Sequence, residues 1–141
     1  MVSADSQMEE GYVLDTGVFI AAERGDFDLD EFVCNRPPTP YVMSSVTAAE
    51  LLLGVELATP AHRARHKDNV ADYLAGFPIF DFDIHCARYW AKIAAQLRAK
   101  GQNIGTHDLL IAATAVCHNY GVITFNAREF SRIPSLTVIT P

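Results

Sequence analysis

The chain reads as an α/β protein built on a mostly parallel sheet, and two observations predict it. Short apolar runs of strand length alternate with longer helical stretches from end to end, the pattern of strands joined by helical crossovers. In addition, four acidic residues, Asp15, Glu50, Asp108 and Glu129, each stand where an apolar run meets a helix start. In open α/β sheets that boundary is the edge where ligands bind.

Taken in order, Tyr12-Val13-Leu14 is a strand that stops at Asp15-Thr16-Gly17, after which Val18 to Ala22 read as helix. Asp26 to Glu31, interleaved with Phe27, Leu29 and Phe32, suits a short surface helix, and Arg36-Pro37-Pro38-Thr39-Pro40 is a stiff connector. Tyr41-Val42-Met43 is a second strand. Thr47-Ala48-Ala49-Glu50 opens a helix that runs to about Ala58, and Pro60 starts the next, spanning Ala61 to Ala75. Phe77 to Phe80 is a short strand that Pro78 assigns to an edge. A long helix from about Asp83 to Lys100 is closed by Gly101. On it Tyr89, Trp90, Ile93 and Leu97 recur at helical spacing, first as core and second as an interface. Thr106-His107-Asp108 begins the most apolar helix, which ends near Asn119-Tyr120-Gly121. Val122 to Thr124 is a strand, Asn126 to Glu129 a short helix, and Leu136 to Ile139 the last strand.

With 141 residues, half of them apolar, the chain has the size of one domain with a real core. Residues 11–141 are expected to form that domain and residues 1–10 a flexible tail. The tail lacks the basic start and apolar stretch of a signal peptide, and no later run is long enough to span a bilayer, so a cytoplasmic protein with no membrane contact is expected. A net charge of −6 speaks against passive binding of nucleic acid. Cys34, Cys86 and Cys117 have no close metal-ligand spacing and read as reduced thiols.

The four acids carry the chemistry. Two carboxylates about 5 Å apart at an effective dielectric near 20 repel by roughly 3 kcal/mol, and a group of four multiplies that cost. A divalent cation removes it, and oxygen ligands select hard ions such as Mg²⁺ or Mn²⁺. Singly, each acid has a plainer explanation. Asp15 can cap the first helix, Thr47 with Glu50 and Asn126 with Glu129 match capping boxes, and Asp108 suits a helix dipole. Metal binding follows only if they converge.

Four segments then bear on family: Val13-Leu14-Asp15-Thr16, Val46 to Gly54, Ile104 to Ala115, and Thr124 to Phe130. In this order and spacing they resemble the PIN domain, specifically the VapC-type toxins of bacterial toxin–antitoxin pairs, over nearly the whole chain after the tail. The resemblance implies a three-layer PIN-like fold, with a central parallel sheet of about five strands flanked by helices. It further implies a Mg²⁺- or Mn²⁺-dependent endoribonuclease that hydrolyses RNA phosphodiester bonds with an activated water. Asp15, Glu50, Asp108 and Glu129 would surround the metal, with Asp15 and Asp108 closest. Thr16, Thr106 and Asn126 would stand behind them, and either Asn126 or Glu129 is the fourth residue of the site. The implied partners are a cognate VapB-type antitoxin that neutralises the enzyme and a second copy of the chain, in a homodimer within an assembly that binds operator DNA through the antitoxin. Phe125 departs from the family by standing where many members carry a basic residue.

For RNA binding, the run His62 to Lys67, with Arg63 and Arg65, is the densest basic stretch, and Arg128 and Arg132 flank the acids. A solvated helix face is the alternative for the run. Phe125 and Tyr41 are candidates for base stacking, with packing as the alternative. His62 and His66 lack further ligands for zinc and read as surface histidines, and His107 reads as a turn residue. Two other enzyme classes fit less well. A haloacid-dehalogenase-type phosphatase needs an Asp where Gly17 stands, and a receiver domain needs a lysine after the late strand, where Val122 to Asn126 has none. A catalytically inactive PIN-fold module that sequesters a protein or RNA partner is the non-enzyme alternative.

Overall fold

The computed structural model describes residues 9–141; Met1 to Met8, most of the expected tail, lie outside the described residues. Glu10 is already tied down, its N–H donating to the Asn119 carbonyl at 2.9 Å. The described elements run β1 (Tyr12–Leu14), α1 (Thr16–Glu23), α2 (Leu29–Cys34), β2 (Tyr41–Ser44), α3 (Ser45–Leu57), α4 (Pro60–Gly76), β3 (Ile79–Phe80), α5 (Ile84–Ala99), α6 (Thr106–Cys117), β4 (Gly121–Ile123), α7 (Ala127–Phe130) and β5 (Val138–Ile139).

The five strands pair in the order β3-β2-β1-β4-β5, and every pairing is parallel. From β1 the chain builds outward on one side through β2 to β3, then crosses to the other side of β1 for β4 and β5. The switch point therefore lies between β1 and β4, where Leu14 pairs with Ile123. That register sets Asp15 beside Thr124, the residues that follow the two strands, with Asp15 N–H donating to the Ile123 carbonyl at 2.9 Å.

Strand alternation divides the core into two layers. Val13, Val42 and Val122 face Ile93, Leu97, Ile111 and Phe130 on one side of the sheet. Leu14, Met43 and Ile123 face Val18, Phe19, Leu51, Val55 and Val70 on the other. Ile93 and Leu97 are buried and Trp90 packs partly against the same cluster, so this stripe of α5 serves as core. β3 is an edge strand, as Pro78 foretells.

Three local expectations need correction. The acidic surface helix spans Leu29–Cys34 rather than 26–31, because Asp28 captures the Glu31 N–H at 3.0 Å while Gly25, at φ +80°, still belongs to the preceding turn. The helix carrying Glu50 starts at Ser45, not Thr47, because the Ser44 hydroxyl accepts from the Val46 N–H at 2.9 Å. Glu50 thus sits in the second turn and no Thr47 capping box forms. The strand after α6 begins at Gly121, one residue early, since Asn119 takes a left-handed conformation at φ 58° and turns the chain.

Gly121 is required by close approach. A Cβ there would stand 2.8 Å from the Tyr12 ring and 3.0 Å from the Thr137 carbonyl, whereas at Gly76 it would meet nothing within 4 Å. Gly121→Ala is expected to destabilise by about 1–3 kcal/mol through overpacking. Gly76→Ala, at the end of α4, should be neutral or stabilising by a few tenths of a kcal/mol. Urea unfolding of the two variants measures the contrast.

Candidate metal centre

The acids meet at the switch point. Asp15 is only 7% exposed. It caps α1 by accepting from the Thr16 N–H at 2.8 Å, and its other oxygen accepts from the buried Thr124 hydroxyl at 2.7 Å. The Thr124 oxygen in turn accepts from the Asn126 N–H at 2.8 Å, so one hydroxyl orients both the acid and the loop that follows β4.

Glu50 reaches the centre from α3. The Thr16 hydroxyl donates to it at 2.6 Å. With its single proton so used, Thr16 accepts from the fully buried Thr47 hydroxyl at 2.9 Å. The second Glu50 oxygen accepts from His107 Nδ1 at 2.9 Å. Asp108 enters from the first turn of α6 and accepts from Asn126 Nδ2 at 3.2 Å. The same amide donates to Glu129 at 2.6 Å, and Glu129 also accepts from the Gly105 N–H at 3.3 Å. Asn126 therefore bridges two acids instead of capping α7, and the expected Asn126–Glu129 capping box does not form.

Electrostatics shows how crowded the group is. Burial pushes the Asp15 carboxyl above its ordinary 3.8, Glu50 and Glu129 push it further, and the Thr124 and Thr16 hydrogen bonds oppose them. Asp108 is pushed up to about 7, first by burial, then by a hydrogen bond to Glu129 and by the charges of Asp15 and Glu129. Glu129 moves the other way, held below 4.5 by hydrogen bonds from the Asn126 amide and from Asp108. Among the described residues no lysine or arginine forms an ion pair with Asp15, Glu50 or Asp108. The four carboxylates offer an all-oxygen donor set, the kind that a hard divalent ion takes.

The remaining site expectations divide. Thr16 lies in the network; Thr106 is exposed at the start of α6 and bonds to none of the acids. Arg63 donates to the Glu56 and Ala58 carbonyls at 3.2 and 3.1 Å, which fastens α4 to the end of α3. Arg65 lines a cleft of about 760 Å³ with Glu50, Glu23 and His66 between α1, α3 and α4. Arg128 is exposed, and Arg132 donates to the Asn103 carbonyl while lowering Glu129. Tyr41 is buried against Tyr12, and Phe125, 48% exposed, packs edge-on against Phe27. Thr124, Thr47 and His107 were not expected to serve the acids. The signal for Thr124 was its place directly after a strand that pairs with the strand before Asp15.

Two measurements test this network. Thr124→Val strands an Asp15 oxygen and the Asn126 N–H, so it should cost about 1–3 kcal/mol in urea unfolding. The raised Asp108 carboxyl contributes stability that is complete below its unfolded value of 3.8 and is lost as pH rises through about 7. In chelator, the stability of the wild type relative to Asp108→Asn should therefore fall between pH 4 and pH 8.

Comparison with known proteins shows the family. A PIN domain family model matches residues 12–136. Ribonuclease VapC of Rickettsia bellii is 34% identical over 131 residues, 92% of this chain and 96% of that protein. Among solved structures, DNA-bound VapBC from Salmonella typhimurium superposes with a TM-score of 0.84 at 27% identity, covering 92% of this chain and 97% of that one. VapBC2 of Rickettsia felis, bound to a DNA fragment from its promoter, gives 0.81 at 29% identity, covering 92% and 98%. With its parallel sheet, its acids at the switch point and a VapC relative along almost its whole length, the chain belongs to the PIN-domain family, among the VapC proteins.

Proposed function

We propose that the chain is the ribonuclease toxin of a VapBC-type toxin–antitoxin pair, cleaving RNA phosphodiester bonds with a Mg²⁺ or Mn²⁺ ion at the acidic centre. The observation that carries this reading is the convergence of Asp15, Glu50, Asp108 and Glu129 through one hydrogen-bond network and their mutual charge. Asp15 and Asp108 are the residues to hold the ion. When bound, the ion supplies Lewis-acid activation of water and stabilises charge on the phosphate.

The protein's own groups do the rest. Thr124 and the Thr16 N–H fix the Asp15 carboxylate in one orientation, so it need not reorganise when substrate arrives. Glu50, held between the Thr16 hydroxyl and His107, and Glu129, held by Asn126, orient solvent on either side of the phosphodiester. Arg65 in the cleft beside Glu50 and exposed Arg128 supply local positive charge for the RNA backbone on a chain of net charge −6. Arg63 braces the α3–α4 turn.

The partner follows from surface chemistry together with the relatives. Ile20, Leu52, Leu53 and Leu57 are 36%, 49%, 55% and 75% exposed on α1 and α3. Such apolar area marks a protein interface. Its occupant is a VapB-type antitoxin, through which a homodimer of the toxin reaches operator DNA, since the related structures are VapBC complexes with DNA.

Incubating the purified protein with total RNA and Mg²⁺ or Mn²⁺ tests the activity. Asp15→Asn and Asp108→Asn should each lower cleavage by roughly 10²-fold or more, and wild-type rates in both would refute the assignment. Arg65→Glu should weaken RNA binding, whereas Arg63→Glu should act mainly on stability. Saturable Mn²⁺ binding without any RNA cleavage would favour the inactive binding module.

A further inference from the structure

Cys86, Cys117 and His118 lie apart from the acids and take no part in the chemistry above. Cys86 stands in the first turn of α5 and is fully buried; Cys117 ends α6 and His118 caps it. The packing of α5 on α6 brings the start of one to the end of the other. Both Sγ atoms and a ring nitrogen of His118 fall within 4.8 Å of one another. Along α6 the group is nine residues from Asp108, about 14 Å at helical rise.

The surroundings arrange these atoms as ligands. His118 Nδ1 lies 2.9 Å from the Thr114 carbonyl. A carbonyl only accepts, so Nδ1 carries the proton and Nε2 keeps its lone pair, the arrangement that metal-binding imidazoles use. The Phe80 ring, 4.4 Å away and tilted by 31°, holds the imidazole plane. The Cys86 thiol donates to the Asp81 carbonyl at 3.5 Å, and the Asp83 carboxylate caps α5 by accepting from the Cys86 N–H at 3.0 Å.

We infer that Cys86, Cys117 and His118 form a three-ligand binding site for a thiophilic divalent cation of the Zn²⁺ type, with water in the fourth position. Tetrahedral zinc with Zn–S near 2.3 Å and Zn–N near 2.0–2.1 Å sets its ligand atoms roughly 3.3–3.8 Å apart. From a spread within 4.8 Å, side-chain rotation at two helix ends closes the set. Two thiolates and an imidazole select a borderline-soft ion, whereas the acidic centre selects a hard one, so the two sites sort different metals. The ion would clamp the start of α5 to the end of α6, the helix that carries Asp108. Its effect is therefore on stability. Binding displaces the thiol protons and is favoured by rising pH.

Titration of the metal-free full chain with Co²⁺, as a spectroscopic stand-in for Zn²⁺, tests the site. A single equivalent should produce a thiolate-to-cobalt charge-transfer band that Zn²⁺ abolishes by displacement. The band should vanish in Cys117→Ser and persist in Asp108→Asn, and His118→Ala should weaken binding roughly tenfold or more. Should Cys117→Ser fail to fold, alkylation of the wild type decides: Zn²⁺ should slow modification of Cys86 and Cys117 at least about tenfold and leave exposed Cys34 unchanged. A spectrum without a thiolate band, a band unchanged in Cys117→Ser, or alkylation indifferent to Zn²⁺ overturns the inference.

Discussion

Burial of carboxylates at one edge of the sheet, with the repulsion of neighbouring acids added to it, is the constraint to which the rest of the molecule answers. Asp15 cannot move away from it, because the parallel register of β1 with β4 fixes its backbone beside Thr124. The fold answers with hydrogen bonds instead of fixed positive charge: the Thr124 hydroxyl and Thr16 N–H on Asp15, the Thr16 hydroxyl and His107 on Glu50, and Asn126 across Asp108 and Glu129. Against them, burial still raises the Asp15 carboxyl and pushes that of Asp108 up to about 7. On the proposed reading a divalent cation would relieve that burden.

Topology delivers the four acids from four different segments. Asp15 and Glu129 follow β1 and β4 on either side of the switch point, while Glu50 and Asp108 project from α3 and α6, which pack against each other. The two core layers hold these helices rigidly. Leu51, directly after Glu50, is buried on one face of the sheet, and Ile111, one turn after Asp108, on the other. Polar positions at the centre are thus fixed by apolar neighbours in the same helices.

Much of this was legible in the sequence, and the parts that were not share a cause. The strand and helix alternation and the edge position imposed by Pro78 are local patterns that the structure contains, and Asp15, Asp108 and Glu129 stand at element boundaries while Glu50 lies in the second turn of α3. The helix starts at Ser45 and Leu29 were misplaced because two neighbouring residues could each cap, and only the folded backbone selects Ser44 over Thr47 and Asp28 over its neighbours. Released from capping, Thr47 serves Thr16 across 31 residues of chain. His107 meets Glu50 across 57 residues and Thr124 meets Asp15 across 109, so no spacing rule could have joined them. The same holds for Cys86 and Cys117, unremarkable in sequence and adjacent in space.

The central claim is that a doubly charged ion belongs among the four carboxylates, held by Asp15 and Asp108. Calorimetric titration with Mn²⁺ near pH 7, repeated in buffers of different ionisation enthalpy, tests it most directly. Saturable binding accompanied by proton release, with the release lost in Asp108→Asn, is the result the account predicts. Absence of saturable binding, or binding and proton release unchanged in Asp108→Asn, would contradict it.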